Sequence, residues 1–396
     1  MEPVLTTKTR DQVLLALSQA APCTRAEIVA RTRLSRATVA KAVHVLMSDG
    51  LIYEEKEIVG LDGRGRRPSR LHWTEDAGLV AGIDIGHTHV TVAIATIDAA
   101  VIAERTTEVG VDLDPGATME LCRSLVLESL EECGRSHDDL VCAAVGFPAP
   151  IAPGAGSKTA GTVMVQWDGI DIRDRLASLI GVPVALENDA NLGALAEHRF
   201  GGGPSCDVII YVKVSSGIGA GIIANGALVP GFAGGAGEIG HLSVRRDGRV
   251  CRCGNRGCLE TVASIPSIVK DLLPLHPEIA TVDDIVRLLD SDDGGAQRAV
   301  YDAGFALGQA LASPVSILAP SQIVINGLDH TASQSLLNGV RRGIAHFFRD
   351  DYWTDLTVRN STFGARNEIL GAIQTAIESR ELRNPAVRPV GVRRER

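Results

Sequence analysis

The 396-residue chain has no apolar run approaching a membrane span, and its first residues, MEPVLTTKTRDQ, lack the apolar core of a signal peptide. These absences lead to the expectation of a cytoplasmic protein with no membrane partner. A disulfide framework is missing too. Of eight cysteines, Cys23, Cys122, Cys133, Cys142 and Cys206 are scattered among apolar neighbours and read as reduced core residues. What is present is ordinary for a soluble globular protein: 45% hydrophobic and 22% charged residues, in a chain long enough for two or three domains. The 42 glycines exceed the usual share and point to tight turns and close backbone approaches, as in nucleotide or sugar sites.

Charge is uneven along the chain. Residues 1–80 hold twelve Lys/Arg against ten Asp/Glu, and the rest 27 against 38. A small module able to approach a polyanion is thus joined to a body that is not.

The stretch GEIGHLSVRRDGRVCRCGNRGCLE, from Gly237 to Glu260, places Cys251, Cys253 and Cys258 within eight residues and His241 ten positions earlier. One imidazole and three thiolates make a complete tetrahedral set for a structural Zn²⁺. Unrelated thiols and a disulfide are the alternatives; C-x-C neighbours make poor disulfide partners.

Near the N-terminus, Val13, Leu14 and Leu17 share a helical face, Thr24 and Glu27 form a capping box, and Ser35 caps a helix that stops at Gly50. Helix, turn and capped helix make a helix-turn-helix, whose second helix enters the major groove by its N-terminal end. Ser35, Arg36, Ala37, Thr38 and Lys41 are the candidate DNA contacts there. LIYEEKEIV and RLHWTED read as strands flanking a basic wing with Arg64, Arg66, Arg67 and Arg70. A protein-docking trihelical unit and a merely solvated basic loop are the alternatives.

From Leu79 a β-meander opens a new domain, and Asp84-Ile85-Gly86 is the kind of hairpin that holds a metal-bound phosphate. A strand ends at Asn188 and Asp189 just before a helix, where α/β proteins place ligand groups; helix capping is the plainer role. An amphipathic helix is expected over QWDGIDIRDRLASLIG. Ser215, Ser216, Gly217, Gly219 and Gly221 read as a small-residue loop suited to a phosphate or another strand. The tail from 381 is basic and expected to be disordered.

DIGHTH, ENDANLGALAE, GIGAGII, GEIGH and CRCGNRGCLE occur in the order and rough spacing of a known family. The chain resembles the ROK family (repressors, open reading frames and sugar kinases) in its regulator branch. The resemblance implies an α/β protein: a winged helix-turn-helix over 1–76, then a two-lobed actin-like (ribonuclease H-like) ATPase fold over 79–380. It assigns zinc to His241, Cys251, Cys253 and Cys258, and sugar hydroxyls to Asn188, Asp189, Glu238, His241 and Glu260. In the family's kinases the residue matching Asp189 is the general base, and glycine loops hold ATP. Asp84, Gly86, Ser216, Gly217 and Gly219 stand at the corresponding phosphate loops. Two departures argue against ATP: Gly86 is followed by His87, and the late motif reads Ile325-Asn326-Gly327-Leu328.

The reading is a sugar-responsive transcriptional regulator, a repressor with operator DNA as partner, a sugar or sugar-phosphate effector, structural zinc, and a homodimeric or homotetrameric assembly. The alternatives are an ATP-dependent sugar kinase using Mg-ATP and Asp189, and a regulator whose pocket docks a transport or signalling protein.

Overall fold

A computed structural model describes residues 7–55, 69–74, 77–151, 164–201, 208–328, 333–348 and 355–381. Helices α1 (Thr7–Ala20), α2 (Arg25–Thr32) and α3 (Arg36–Ser48) precede an antiparallel hairpin of β1 (Ile52–Glu55) and β2 (Arg70–Trp73). Side-chain caps start the second and third helices. The Thr24 hydroxyl accepts from the Glu27 N–H at 3.2 Å, while the Glu27 carboxylate accepts from the Thr24 N–H at 2.7 Å. Ser35 accepts from the Thr38 N–H at 3.1 Å. Val13, Leu14, Leu17, Ile28, Val39, Val43, Leu46 and Leu71 close into one apolar centre.

The body follows as two lobes of one plan. Strands β3 (Leu79–Ile85), β4 (His89–Thr96) and β5 (Val101–Glu108), helix α4 (Pro115–Glu132), β6 (Leu140–Phe147), α5 (Ile172–Ile180) and β7 (Val184–Asn188) make a sheet of order β5-β4-β3-β6-β7. Helix α6 (Asp189–Phe200) leads to β8 (Val208–Val214), β9 (Ile218–Ala224) and β10 (Ala227–Leu228). Helices α7 (Glu260–Ala263), α8 (Ile265–Leu272), α9 (Val282–Asp290) and α10 (Gly294–Leu318) come next, then β11 (Gln322–Asn326), α11 (Ser333–Ala345) and β12 (Thr357–Asn360). Their sheet has the matching order β10-β9-β8-β11-β12. Each sheet is an antiparallel meander extended by two parallel strands, and the parallel pairs need the helical crossovers that the chain supplies.

Two helices are exchanged between the lobes. Helix α6 leaves the first sheet and packs on β8 and β9 of the second, whereas α12 (Asn367–Glu381) returns to pack on β3 and β6. The two helices cross at Gly371, where any side chain would strike the Leu192 carbonyl. Helix α12 also touches α1. Its Ile369, Ile373, Ala376 and Ile377 share one apolar cluster with Val13, Leu14 and Leu17, so the N-terminal module sits directly on the body.

Two expectations need correction. The helix expected from Gln166 begins only at Ile172, because Gly169 takes a left-handed φ of 73° that breaks the run; a short 3-10 turn buries Trp167 instead, and Asp171 caps the helix. Glu381, expected to open the tail, ends α12; the rest of the tail lies outside the described residues. Among the described residues, no helix is long and apolar enough to cross a membrane.

The α6–α12 crossing generates a stability prediction. Gly371→Val forces the two backbones apart and is expected to cost roughly 1–3 kcal/mol, read as a lowered urea midpoint. A midpoint equal to that of the wild type would show that the crossing tolerates a side chain.

Candidate functional site

The residues expected to meet a sugar come from three elements. Asn188 ends β7 and caps α6, its Oδ1 accepting from the Asn191 N–H at 3.2 Å and its Nδ2 donating to the Ala149 carbonyl at 3.2 Å. Asp189 opens α6 and has both oxygens engaged: Oδ1 accepts from the Ala190 N–H at 2.7 Å and Oδ2 from Lys213 Nζ at 3.0 Å. Glu238 carries a raised pKa of about 7, set first by burial and then by the charges of Asp189 and Glu260. Glu260 opens α7 and is held by Arg252, whose Nε and Nη2 donate to its two oxygens at 2.8 and 2.9 Å.

His241 joins the cleft to the cysteine cluster through its two ring nitrogens. Nδ1 lies 3.7 Å from the Cys251 sulfur, and Nε2 lies 4.0 Å from Glu238 Oε2. The ligand atoms of His241, Cys251, Cys253 and Cys258 all fall within 4.8 Å of one another, and the Cys253 and Cys258 sulfurs are 3.7 Å apart. Metal–sulfur bonds of about 2.3 Å and metal–nitrogen bonds of about 2.0 Å give a tetrahedron with S···S edges of about 3.8 Å and S···N edges of about 3.5 Å. The set fits a tetrahedral ion that prefers thiolate and imidazole. Burial and the adjacent thiols push Cys258 up to about 12, so the cluster suits thiolates only when a cation compensates them.

The candidate phosphate loops are arranged differently from the expectation. Asp84 lies at the end of β3, but its Oδ2 is 3.0 Å from His89 Nε2, and the His89 ring covers Gly86, where a Cβ would collide with it. His87, expected to crowd this hairpin, turns instead to Asp112 at 2.8 Å. Gly219 belongs to strand β9 rather than a loop, and it and Gly221 face Ala190 of α6, an approach that fits the helix rather than a phosphate. Gly217 packs on the Arg252–Glu260 pair, its would-be Cβ 2.6 Å from the guanidinium, and only Ser215, Ser216 and Gly217 remain as a turn.

Sequence reasoning missed the floor of the cleft. Lys213, on the otherwise apolar β8, donates to Asp189 and lies 3.5 Å from Glu368 Oε1 at the start of α12. Burial pulls its pKa down, but Asp189, Glu368 and Asp84 outweigh that and leave it above the usual lysine range. Tyr211, two residues earlier on the same face, donates to Glu368 at 3.0 Å and accepts from Asn326 at 2.7 Å, and Asn326 accepts from Ser361 at 3.0 Å. The available signal was one charged residue inside a buried apolar run, since a buried charge requires partners.

On the N-terminal module, Ser35, Arg36 and Ala37 are exposed at the start of α3, whereas Thr38 and Lys41 are half-buried. Ala40 and His44 add to the exposed face. Arg70 lies on β2 and donates to the Pro22 carbonyl at 2.8 Å, so it belongs to the base of the hairpin. Arg64, Arg66 and Arg67 lie outside the described residues.

A winged helix-turn-helix seated on a two-lobed α/β body, with Asp189 and Glu368 gathered on Lys213 and a His–Cys₃ cluster beside Glu238, defines the class. Residues 80–379 match the ROK family and residues 12–65 the MarR family. The chain belongs to the ROK family, with a MarR-type winged helix-turn-helix ahead of the ROK body. It is 28% identical over 357 residues to the xylose repressor of Bacillus subtilis, covering 90% of this chain and 91% of that one. It is likewise 28% identical over 366 residues to the DNA-binding transcriptional dual regulator NagC of Escherichia coli, covering 89% and 88%. A ROK family transcriptional regulator described as a homolog of the E. coli MLC protein shares the fold, with a TM-score of 0.78 at 23% identity over 95% of this chain and 98% of that one.

The Asp84–His89 pair generates a pH prediction. Its hydrogen bond to Asp84 raises the His89 pKa against the opposing effect of burial, so its contribution to stability is complete below the ordinary histidine value of 6.5 and is lost as pH rises through the folded value. Burial pulls Asp84 up, but His89 and Lys213 outweigh it and lower its pKa, so its contribution is present above 3.8 and is lost as pH falls. The gap in urea midpoint between the wild type and His89→Gln is therefore expected to be widest near about pH 6 and to shrink towards about pH 9. A gap independent of pH would rule out a charged pair.

Proposed function

We propose that the protein is a sugar-responsive transcriptional repressor: residues 1–76 bind operator DNA, and the body over 79–380 binds a sugar that alters that binding. The observation that carries this reading is the apolar cluster shared by α1 and α12, which joins the DNA-reading module to the helix that floors the cleft. Arg36 and Ala37, at the exposed start of α3, supply contacts for phosphate and base edges. Asn188, Asp189, Glu238, His241 and Glu260 supply the acceptors and donors that a polyol needs when it leaves water. Zinc on His241, Cys251, Cys253 and Cys258 fixes the turn that carries Glu238 and Glu260 and orients the His241 ring. A homodimer or homotetramer on paired half-sites suits a helix-turn-helix protein. Sugar changes operator affinity only by binding two arrangements of the body unequally.

The kinase reading fits less well. Both Asp189 oxygens are engaged, one by the Ala190 N–H and the other by Lys213, and the His89 ring covers Gly86 at the candidate phosphate hairpin.

Gel-shift titration against the protein's own promoter, with and without sugars, tests the regulator. Arg36→Ala is expected to weaken binding and to reduce the salt slope by about 1; unchanged affinity and slope would remove α3 from the interface. Cys253→Ser is expected to release zinc, measured by elemental analysis, and to lower the body's melting temperature. Wild-type protein without zinc would end the metal assignment.

A further inference from the structure

We infer that residues 382–396 act as a second DNA-contacting element, a basic arm that α12 delivers to the phosphates beside the site read by α3. The inference rests on the reading of the N-terminal module as DNA-binding, and it concerns a segment to which that reading gives no role. In those fifteen residues Arg383, Arg388, Arg393, Arg394 and Arg396 stand against Glu395 alone. Residues 1–80 hold twelve Lys/Arg against ten Asp/Glu, so the net positive charge of the arm is twice that of the first 80 residues. Residues 81–381 hold 22 against 37. Net positive charge therefore belongs to the two ends of the chain, the parts suited to a polyanion.

The fold brings these two ends together. Helix α12 starts in the body, where Glu368 lies 3.5 Å from the Lys213 ammonium, and runs to Glu381. It packs on α1, and its Ile373, Ala376 and Ile377 share one apolar cluster with Val13, Leu14 and Leu17. Ile377 stands about one turn before the end of the helix, so α12 hands on the chain beside the N-terminal module. Helix α1 packs in turn on α3. Packed helix axes lie about 8–10 Å apart, which puts α3 within about 20 Å of α12 across α1. Fifteen residues reach about 50 Å when fully extended, enough to pass α1 and meet the DNA backbone beside α3. The acidic body competes for the arm, but its excess of carboxylates is spread over a protein with 20476 Å² of accessible surface. Duplex DNA carries one charge per about 1.7 Å of its axis and releases counterions when arginines replace them, so it is the stronger partner once α3 has brought it alongside. Contacts to phosphate carry no base information, and the arm therefore adds affinity and salt dependence without sequence preference.

Fluorescence-anisotropy titration of the full-length protein tests the arm, on a duplex from its own promoter and on a random duplex of equal length, between about 50 and 300 mM salt. One variant replaces all five arginines by glutamine (R383Q, R388Q, R393Q, R394Q and R396Q), and a second replaces the same five by lysine. The glutamine variant is expected to bind both duplexes at least about tenfold more weakly at about 100 mM salt, and to reduce the slope of log K against log salt by at least about 2. Its melting temperature is expected to equal that of the wild type, and the lysine variant is expected to keep the wild-type slope. Equal slopes for the wild type and the glutamine variant overturn the inference and leave the DNA-binding module standing, whereas the absence of any wild-type complex ends both. A loss confined to the promoter duplex also overturns it, as does tighter binding by the glutamine variant, which would make the arm a partner of the acidic body. Wild-type protein that sediments with phosphatidylserine vesicles while the DNA slopes coincide would assign the arm to a membrane surface instead.

Discussion

An ammonium group withdrawn from water is stable only if anionic partners surround it, and the whole body is arranged to bring them to Lys213. The partners come from the end of β3, the first residue of α6 and the first turn of α12, three points far apart in sequence. Breaking one side of such a cluster leaves an uncompensated charge inside the protein, which costs more than the pair itself contributes. The cluster therefore fixes where the lobes meet. It also sets the posture of Asp189 in the cleft, because that carboxylate is held from both sides.

From this junction the structure runs in two directions. On one side, the imidazole of His241 lies between the cysteine set and Glu238. Towards DNA, α12 begins with Glu368 beside Lys213 and continues with Ile373, Ala376 and Ile377 against the residues of α1. Helix α12 thus has its first turn at Lys213 and its later turns against the N-terminal module. Coupling between the two sites needs an element that both contact, and α12 is such an element.

Local chemistry was legible from the residues alone. Thr24 with Glu27 and Ser35 with Thr38 start helices by contacts three residues apart, and the cysteine turn shows its donor set within eight residues. The meander from Leu79 and the strand ending at Asn188 follow from alternating and buried apolar runs. What periodicity does not encode is the partner of a residue across the fold. Tyr211 bonds Glu368 at a separation of 157 residues, and nothing near Lys213 in sequence announces Asp189 or Glu368. Gly219 misled for the same reason: a small residue looks alike whether it admits a phosphate or the flank of a helix, and here α6 takes the space. The interruption at Gly169 was misjudged because apolar spacing on either side suits a single helix, while the backbone angle at one residue does not.

The cluster shared by α1 and α12 has a consequence for how the molecule is made. Synthesis proceeds from the N-terminus, so the three-helix module leaves the ribosome first, and the helix that seats it emerges only after both lobes have been translated. Until then the part of α1 that meets α12 lacks that partner. The seating of the N-terminal module on the body and the pairing of Glu368 with Lys213 thus both wait for the last helix of the chain.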